Sequence, residues 1–125
     1  MTDTLPPNVY QPLCPTRMIL DCIADKWTVL ILGMLEDGPQ RFNHLRREVG
    51  GISQKVLSQT LKSLERDGLV TRTAFPTVPV TVEYAITPLG MTLAGTIAGL
   101  RDWAESHIGA VLAAQQAYDQ RMDQA

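Results

Sequence analysis

The sequence predicts a mainly α-helical domain with one small β-hairpin, dimerising through its terminal helices. Three observations predict it. Most of the 125 residues belong to segments whose apolar positions recur at the helical spacing of three and four. One stretch, Leu69 to Ile86, changes instead to β-branched residues in alternation, and Pro76 and Pro79 break it in the middle. The last apolar stripe then keeps to one face for about six turns, more than a domain this small can cover alone.

Length and composition exclude several classes. The chain has room for one domain, and 45% hydrophobic residues suffice for a packed core. No run of about 18 apolar residues exists, so no membrane span or membrane partner is expected. The start, MTDTLPPNVYQP, lacks the basic and apolar regions of a secretory signal. Cys14 and Cys22 are too few for a disulfide framework. A cytoplasmic location follows as the simplest expectation. The expected organisation is an N-terminal arm over 1–14, a domain over 15–120 ending in a dimerisation helix, and a tail over 121–125.

Pro6, Pro7, Pro12 and Pro15 resist helix and predict an extended arm. Met18, Ile19, Cys22 and Ile23 mark a short amphipathic helix, and Trp27, Leu30, Ile31, Met34 and Leu35 a second. Glu36-Asp37-Gly38-Pro39 is turn chemistry. Arg41-Phe42 allows a strand fragment, and Asn43 is the expected cap of a small helix holding Leu45 and Val49. Gly50-Gly51 stops that helix. Ser53 caps the next, which runs to Asp67, ends at Gly68 and buries Leu57, Leu61 and Leu64. The hairpin follows as Leu69–Phe75 and Thr81–Ile86. Thr87-Pro88 then opens the long helix. Its stripe is Leu89, Leu93, Ile97, Leu100, Ala104, Ile108 and Val111, widened by Trp103 and Leu112. Leu93, Ile97, Leu100, Trp103, Ala104 and Ile108 are the expected dimer contacts, with the first helix beside them.

The net charge is −2, but it is unevenly spread. Between Arg41 and Phe75 seven basic residues face three acidic ones, a net of +4, and the rest of the chain carries −6. A central basic third suits a polyanion partner, although an ordinary solvated helical face is the competing explanation.

A short helix, a glycine turn, a polar-faced helix and a hairpin together make the winged helix-turn-helix arrangement. Its second helix enters the major groove of duplex DNA. With Leu57, Leu61 and Leu64 turned inward, the opposite arc of the Ser53–Asp67 helix carries Lys55, Ser58, Gln59, Lys62, Ser63 and Arg66. Gln pairs with adenine and Lys with guanine or phosphate. Ser53 and Gln54 open this helix, and Arg46 and Arg47 stand where its predecessor meets the phosphate backbone. Arg41 and Arg72 are weaker candidates. His44 reads as a surface histidine.

These residues resemble the HxlR-type, MarR-like winged helix-turn-helix regulators. The resemblance rests on Cys14-Pro15, Asp25-Lys26-Trp27 with Leu30-Ile31-Leu32, Gly38, and Arg41-Phe42-Asn43-His44-Leu45. It continues through Gly51-Ile52-Ser53-Gln54-Lys55-Val56-Leu57, Leu64 to Arg72, Val82-Glu83-Tyr84, Thr87 and Gly90. It spans Cys14 to about Trp103, and its specificity lies in the order and spacing of the pieces. It implies a homodimeric transcriptional regulator, in many members a repressor answering oxidants or electrophiles through an N-terminal cysteine. Cys14 matches that position, and a small-molecule or oxidant inducer is the further partner implied. Two departures stand out. The wing from Phe75 to Thr81 lacks the cation usual in the family, and Asp25 replaces a common glycine.

Cys14 lies at a helix start near Thr16 and Arg17, where dipole and cation would lower a thiol pKa; the alternative is a packing cysteine. Cys22 falls on the apolar stripe of the first helix. Neither the cysteines nor the two histidines are spaced as a zinc site, so no metal or cofactor is expected. An enzyme is not expected, a thiol-dependent one being the nearest alternative. A winged-helix module for protein contacts is the other. Tyr10, Trp27, Tyr84 and Trp103 are read as core residues before being read as the lining of a small-molecule pocket.

Overall fold

The computed structural model describes residues 6–124. Residues 1–5 of the expected arm and Ala125 of the expected tail lie outside the described residues. The elements are α1 (Pro15–Ala24), α2 (Lys26–Leu35), β1 (Gln40–Arg41), α3 (Phe42–Glu48), α4 (Gln54–Arg66), β2 (Val70–Phe75), β3 (Thr81–Ile86) and α5 (Pro88–Asp123). The hairpin becomes a three-stranded antiparallel sheet in the order β1-β3-β2, because Gln40 pairs with Tyr84 and Arg41 with Glu83.

Helix α2 is the hub. Its sequence, KWTVLILGML, is apolar nearly all round, which a helix tolerates only when enclosed. Helices α1, α4 and α5 and strand β3 surround it. Ile31, Leu32 and Leu35 are fully buried beside Leu45 of α3, Leu57, Leu61 and Leu64 of α4, and Val70 and Tyr84 of the sheet. Asp25 separates α1 from α2. It is extended, and its carboxylate accepts from the Trp27 N–H at 2.8 Å, capping α2. Asp25 thus has a structural use as the cap of α2.

Three local expectations are corrected. Helix α3 starts at Phe42 with Arg41 at its cap position, two residues earlier than an Asn43 cap would allow. The cause is β1: its pairing holds Arg41 extended, and the helix begins directly after it. The arm over 6–14 is folded in turns instead of extended. The Asn8 side chain accepts from the Tyr10 N–H at 3.0 Å, and Gln11 N–H and Cys14 N–H close two backbone turns. Helix α5 continues through Asp123, so residues 121–123 belong to it and not to a tail.

Thr87 ties the start of α5 to the preceding turn. Its hydroxyl donates to the Gly68 carbonyl at 2.6 Å and accepts from the Gly90 N–H at 3.0 Å, while its own N–H donates to the Leu69 carbonyl. This closeness requires Gly90. A Cβ there would collide with the Leu69 carbonyl oxygen and lie 2.7 Å from Ile86 Cγ1.

The apolar stripe of α5 divides in two. Ala94 and Ile97 are fully buried, and Leu93 packs on the core. Ile97, expected as a dimer contact, belongs instead to the protomer's own core, because α5 lies across α2 at that level. Beyond Arg101 every described residue is exposed, including Trp103, Ala104 and Ile108. Of the four aromatic residues, Tyr84 is core and Trp27 partly buried, whereas Tyr10 and Trp103 are exposed, with Trp103 stacked on His107. Among the described residues no helix is long and apolar enough to cross a membrane.

Candidate nucleic-acid interface

Helices α3 and α4 meet through a turn that needs glycine. Gly51 has φ +82°, a left-handed conformation costly to other residues. Ile52 is buried and pins the turn to the core. Ser53 then caps α4, its hydroxyl accepting from the Val56 N–H at 3.1 Å. The Leu57, Leu61 and Leu64 stripe is fully buried, which fixes the rotation of α4 and turns its other side outward. Gly68, at φ +78°, ends the helix.

Arg46, Arg47, Ser53, Gln54, Lys55, Ser58, Gln59, Lys62 and Arg66 are all exposed. Lys55, Ser58 and Lys62 follow one another along successive turns of α4. The cations among these residues have no acidic partner, since Arg101–Glu36 is the one ion pair among the described residues. Arg46 and Arg47 also occupy the last turn of α3, where positive charge offsets the helix dipole.

The face is not uniform. Gln59, Ser63 and Arg66 border a groove between α4 and α1 into which Asp21, Asp25 and Asp67 also face. These carboxylates offset part of the Arg66 charge along that edge, so the positive potential is weaker there than at Lys55 and Lys62. Lys55, Ser58 and Lys62 stand outside that groove, with exposed Glu65 three residues after Lys62 as the acid nearest in sequence on their side of α4. Arg72 and Arg41, ranked lower from the sequence, join Arg47 and His44 in lining a second groove between α3 and the sheet. Sequence spacing alone gave no sign of this grouping, which depends on strand pairing. The wing tip carries Val78, wholly exposed, and Val80, and no cation.

Cys14 sits at the cap position of α1. Its thiol pKa is lowered, first by the Asn8 N–H at 3.5 Å and then by the Thr16 hydroxyl at 3.0 Å and Thr16 N–H. The guanidinium of Arg17, expected to act on the thiol, reaches instead to the Tyr10 carbonyl at 3.4 Å. Cys22 is partly buried, and burial pushes its pKa up. The Thr28 hydroxyl at 3.9 Å opposes that rise, and the Asp67 and Asp25 carboxylates add to it.

Comparison with known proteins agrees with this geometry. The HxlR-like helix-turn-helix family matches residues 22–111. The HTH-type transcriptional regulator YtfH of Escherichia coli (strain K12) is 45% identical over 106 residues, 85% of this chain and 84% of that protein. The structure of the YtfH regulator from Salmonella typhimurium superposes with a TM-score of 0.85 at 43% identity, covering 89% of this chain and 99% of that one. The structure of the redox regulator HypR in its oxidized form gives a TM-score of 0.68 at 39% identity, over 74% of this chain and 96% of that one. The chain belongs to the HxlR-like helix-turn-helix family of transcriptional regulators.

Proposed function

We propose that the protein binds a pseudo-palindromic operator as a homodimer and acts as a repressor that responds to oxidants or electrophiles. The observation that carries the DNA reading is α4: a helix locked in rotation by three buried leucines, presenting cations with no acidic partner and amide and hydroxyl groups outward. Arg46 and Arg47 supply phosphate contacts, and Ser53, Gln54, Lys55, Ser58, Gln59, Lys62 and Arg66 supply base and backbone contacts. The dimer contact is the exposed part of the α5 stripe, Leu100, Trp103, Ala104 and Ile108, together with Met18 and Leu20 of α1. A two-fold pair presents two α4 helices about 34 Å apart.

Cys14 supports the redox response. Its thiol is held toward the thiolate, the reactive form, on an arm that leads into α1. The relative HypR is described as a redox regulator. Diamide takes two electrons and two protons from a pair of thiols and leaves a disulfide. A bond between the Cys14 residues of two protomers would change how the α1 helices meet, and with it the separation of the α4 pair.

Footprinting on the DNA upstream of the protein's own gene tests the reading, with and without diamide. Two protected half-sites about one helical turn apart are expected, lost on oxidation and retained in Cys14→Ser. Protection of a single half-site overturns the dimer. Equal loss in wild type and Cys14→Ser removes Cys14 from the response.

A further inference from the structure

The wing tip offers no cation to a phosphate. It presents the side chains of Val78 and Val80, and the Thr77 hydroxyl is already bonded to the Pro79 carbonyl and in contact with that of Thr81. At the base of the wing the chemistry reverses. Antiparallel pairing sets Arg72 opposite Tyr84, hence on the sheet face turned toward the helices. Tyr84 is buried there, while Arg72, on the outer strand, is exposed. Helix α3 forms the facing wall with His44 and Arg47, and one groove runs between the two.

Among the described residues no carboxylate lines this groove. Glu83, the nearest acid on the sheet, pairs with Arg41 and Thr73 and so belongs to the opposite sheet face from Tyr84 and Arg72. Neither Arg47 nor Arg72 makes an ion pair among the described residues. Arg41 lines the groove as well. Guanidiniums gathered in one groove repel one another unless an anion sits between them, and their forked donors match phosphate oxygens.

We propose that this groove seats one backbone phosphate of duplex DNA, held by Arg47 from α3 and by Arg72 from the sheet. The wing then contributes positive charge at its base, three residues or about 10 Å before the end of β2. This rests on the reading of α4 as the element that enters DNA. It adds Arg72 to the binding surface and places the wing over the backbone beside the groove that α4 reads.

The test compares wild type, Arg72→Gln, Arg72→Lys, Arg47→Gln and Gln59→Ala on operator and random duplexes, by salt titration and phosphate-ethylation interference. Loss of one phosphate contact should make the fall in affinity between 50 and 200 mM salt about 3-fold smaller. That change is expected in Arg72→Gln on both duplexes and is reversed in Arg72→Lys. Ethylation of one phosphate should block wild-type binding and interfere less with Arg72→Gln and with Arg47→Gln, at the same position in both. Arg72→Gln with the wild-type salt slope and interference pattern, while Gln59→Ala still relaxes base preference, overturns the phosphate seat and leaves α4 in place. Wild type without salt-dependent DNA binding overturns the α4 reading itself, and the seat with it.

Discussion

Arg101 of α5 reaches Glu36 at the end of α2, with Nη2 and Oε2 2.9 Å apart. The guanidinium gets there by lying over Gly33, where any Cβ would come within 2.5 Å of Nη1. Both side chains are only about a quarter exposed, and Nη1 is buried without a hydrogen-bond partner. The pair ties α5 to the end of α2 one turn beyond Ile97, the last buried residue of α5. Glu36→Gln is expected to lower stability by about 1 kcal/mol, near the upper end for a partly exposed pair. Arg101→Ala should cost more, because the aliphatic stem is lost as well. Urea unfolding of both single variants and the double variant gives the coupling energy, and a coupling of zero would refute the link.

Two glycines of α5 should respond in opposite directions. Gly90→Ala drives a methyl group into the Leu69 carbonyl, a backbone atom that cannot step aside, and is expected to destabilise by about 2 kcal/mol or more. Gly95 has open space around its Cβ position, so Gly95→Ala should stabilise by up to about 1 kcal/mol. Chemical denaturation of each decides. Equal effects would mean that α5 does not start against the α4–β2 turn as described.

Ile97 and Ile108 share one stripe in the sequence but not one environment. Ile97→Glu buries a carboxylate in the protomer core and should unfold the domain. Ile108→Glu changes a residue that is 53% exposed and should leave the fold intact while giving a monomer with weakened operator binding. Sedimentation and circular dichroism separate the two outcomes. A dimeric Ile108→Glu would move the interface elsewhere.

The same contrast measures what the sequence could reveal. The 3.6-residue period of Leu57, Leu61 and Leu64 exposed the rotation of α4 directly, because its burial is governed by one face. Ser53 and Thr87 were legible as caps because capping is local chemistry within three residues. Ile97 was misplaced because periodicity tells which face is apolar and not which partner covers it. The Asn43 cap failed because β1, a pairing of residues more than forty positions apart, overrode a local preference. The Arg47–Arg72 groove and the Gly33–Arg101 contact are likewise long-range, and neither leaves a mark on local spacing.

The two cysteines should differ in their response to pH. Thiolate is the form that alkylates. Cys14, with its pKa lowered by the Asn8 N–H and Thr16, should reach its maximal rate at a pH below that of an ordinary thiol. Cys22, with its pKa raised by burial, should level off above it and react more slowly near neutral pH, where less of it is thiolate. Thr16→Val should shift the Cys14 midpoint upward. Iodoacetamide labelling followed by peptide mass analysis reports each site separately, and coincident profiles would contradict the thiol environments described.

Helix α5 spans 36 residues, about 54 Å, and beyond Arg101 no described residue of it is buried. A projecting helix gains little from its own packing, and helical order in water usually needs such burial. Under the dimer proposal, shape and copy number become one equilibrium: two chains complete each other's far helix, and dilution unravels it. The melting temperature should then rise with protein concentration. Amide exchange beyond Trp103 should slow in step with it, while α2 and α4 exchange at rates that change little. A regulator built this way senses its own abundance before it meets any operator.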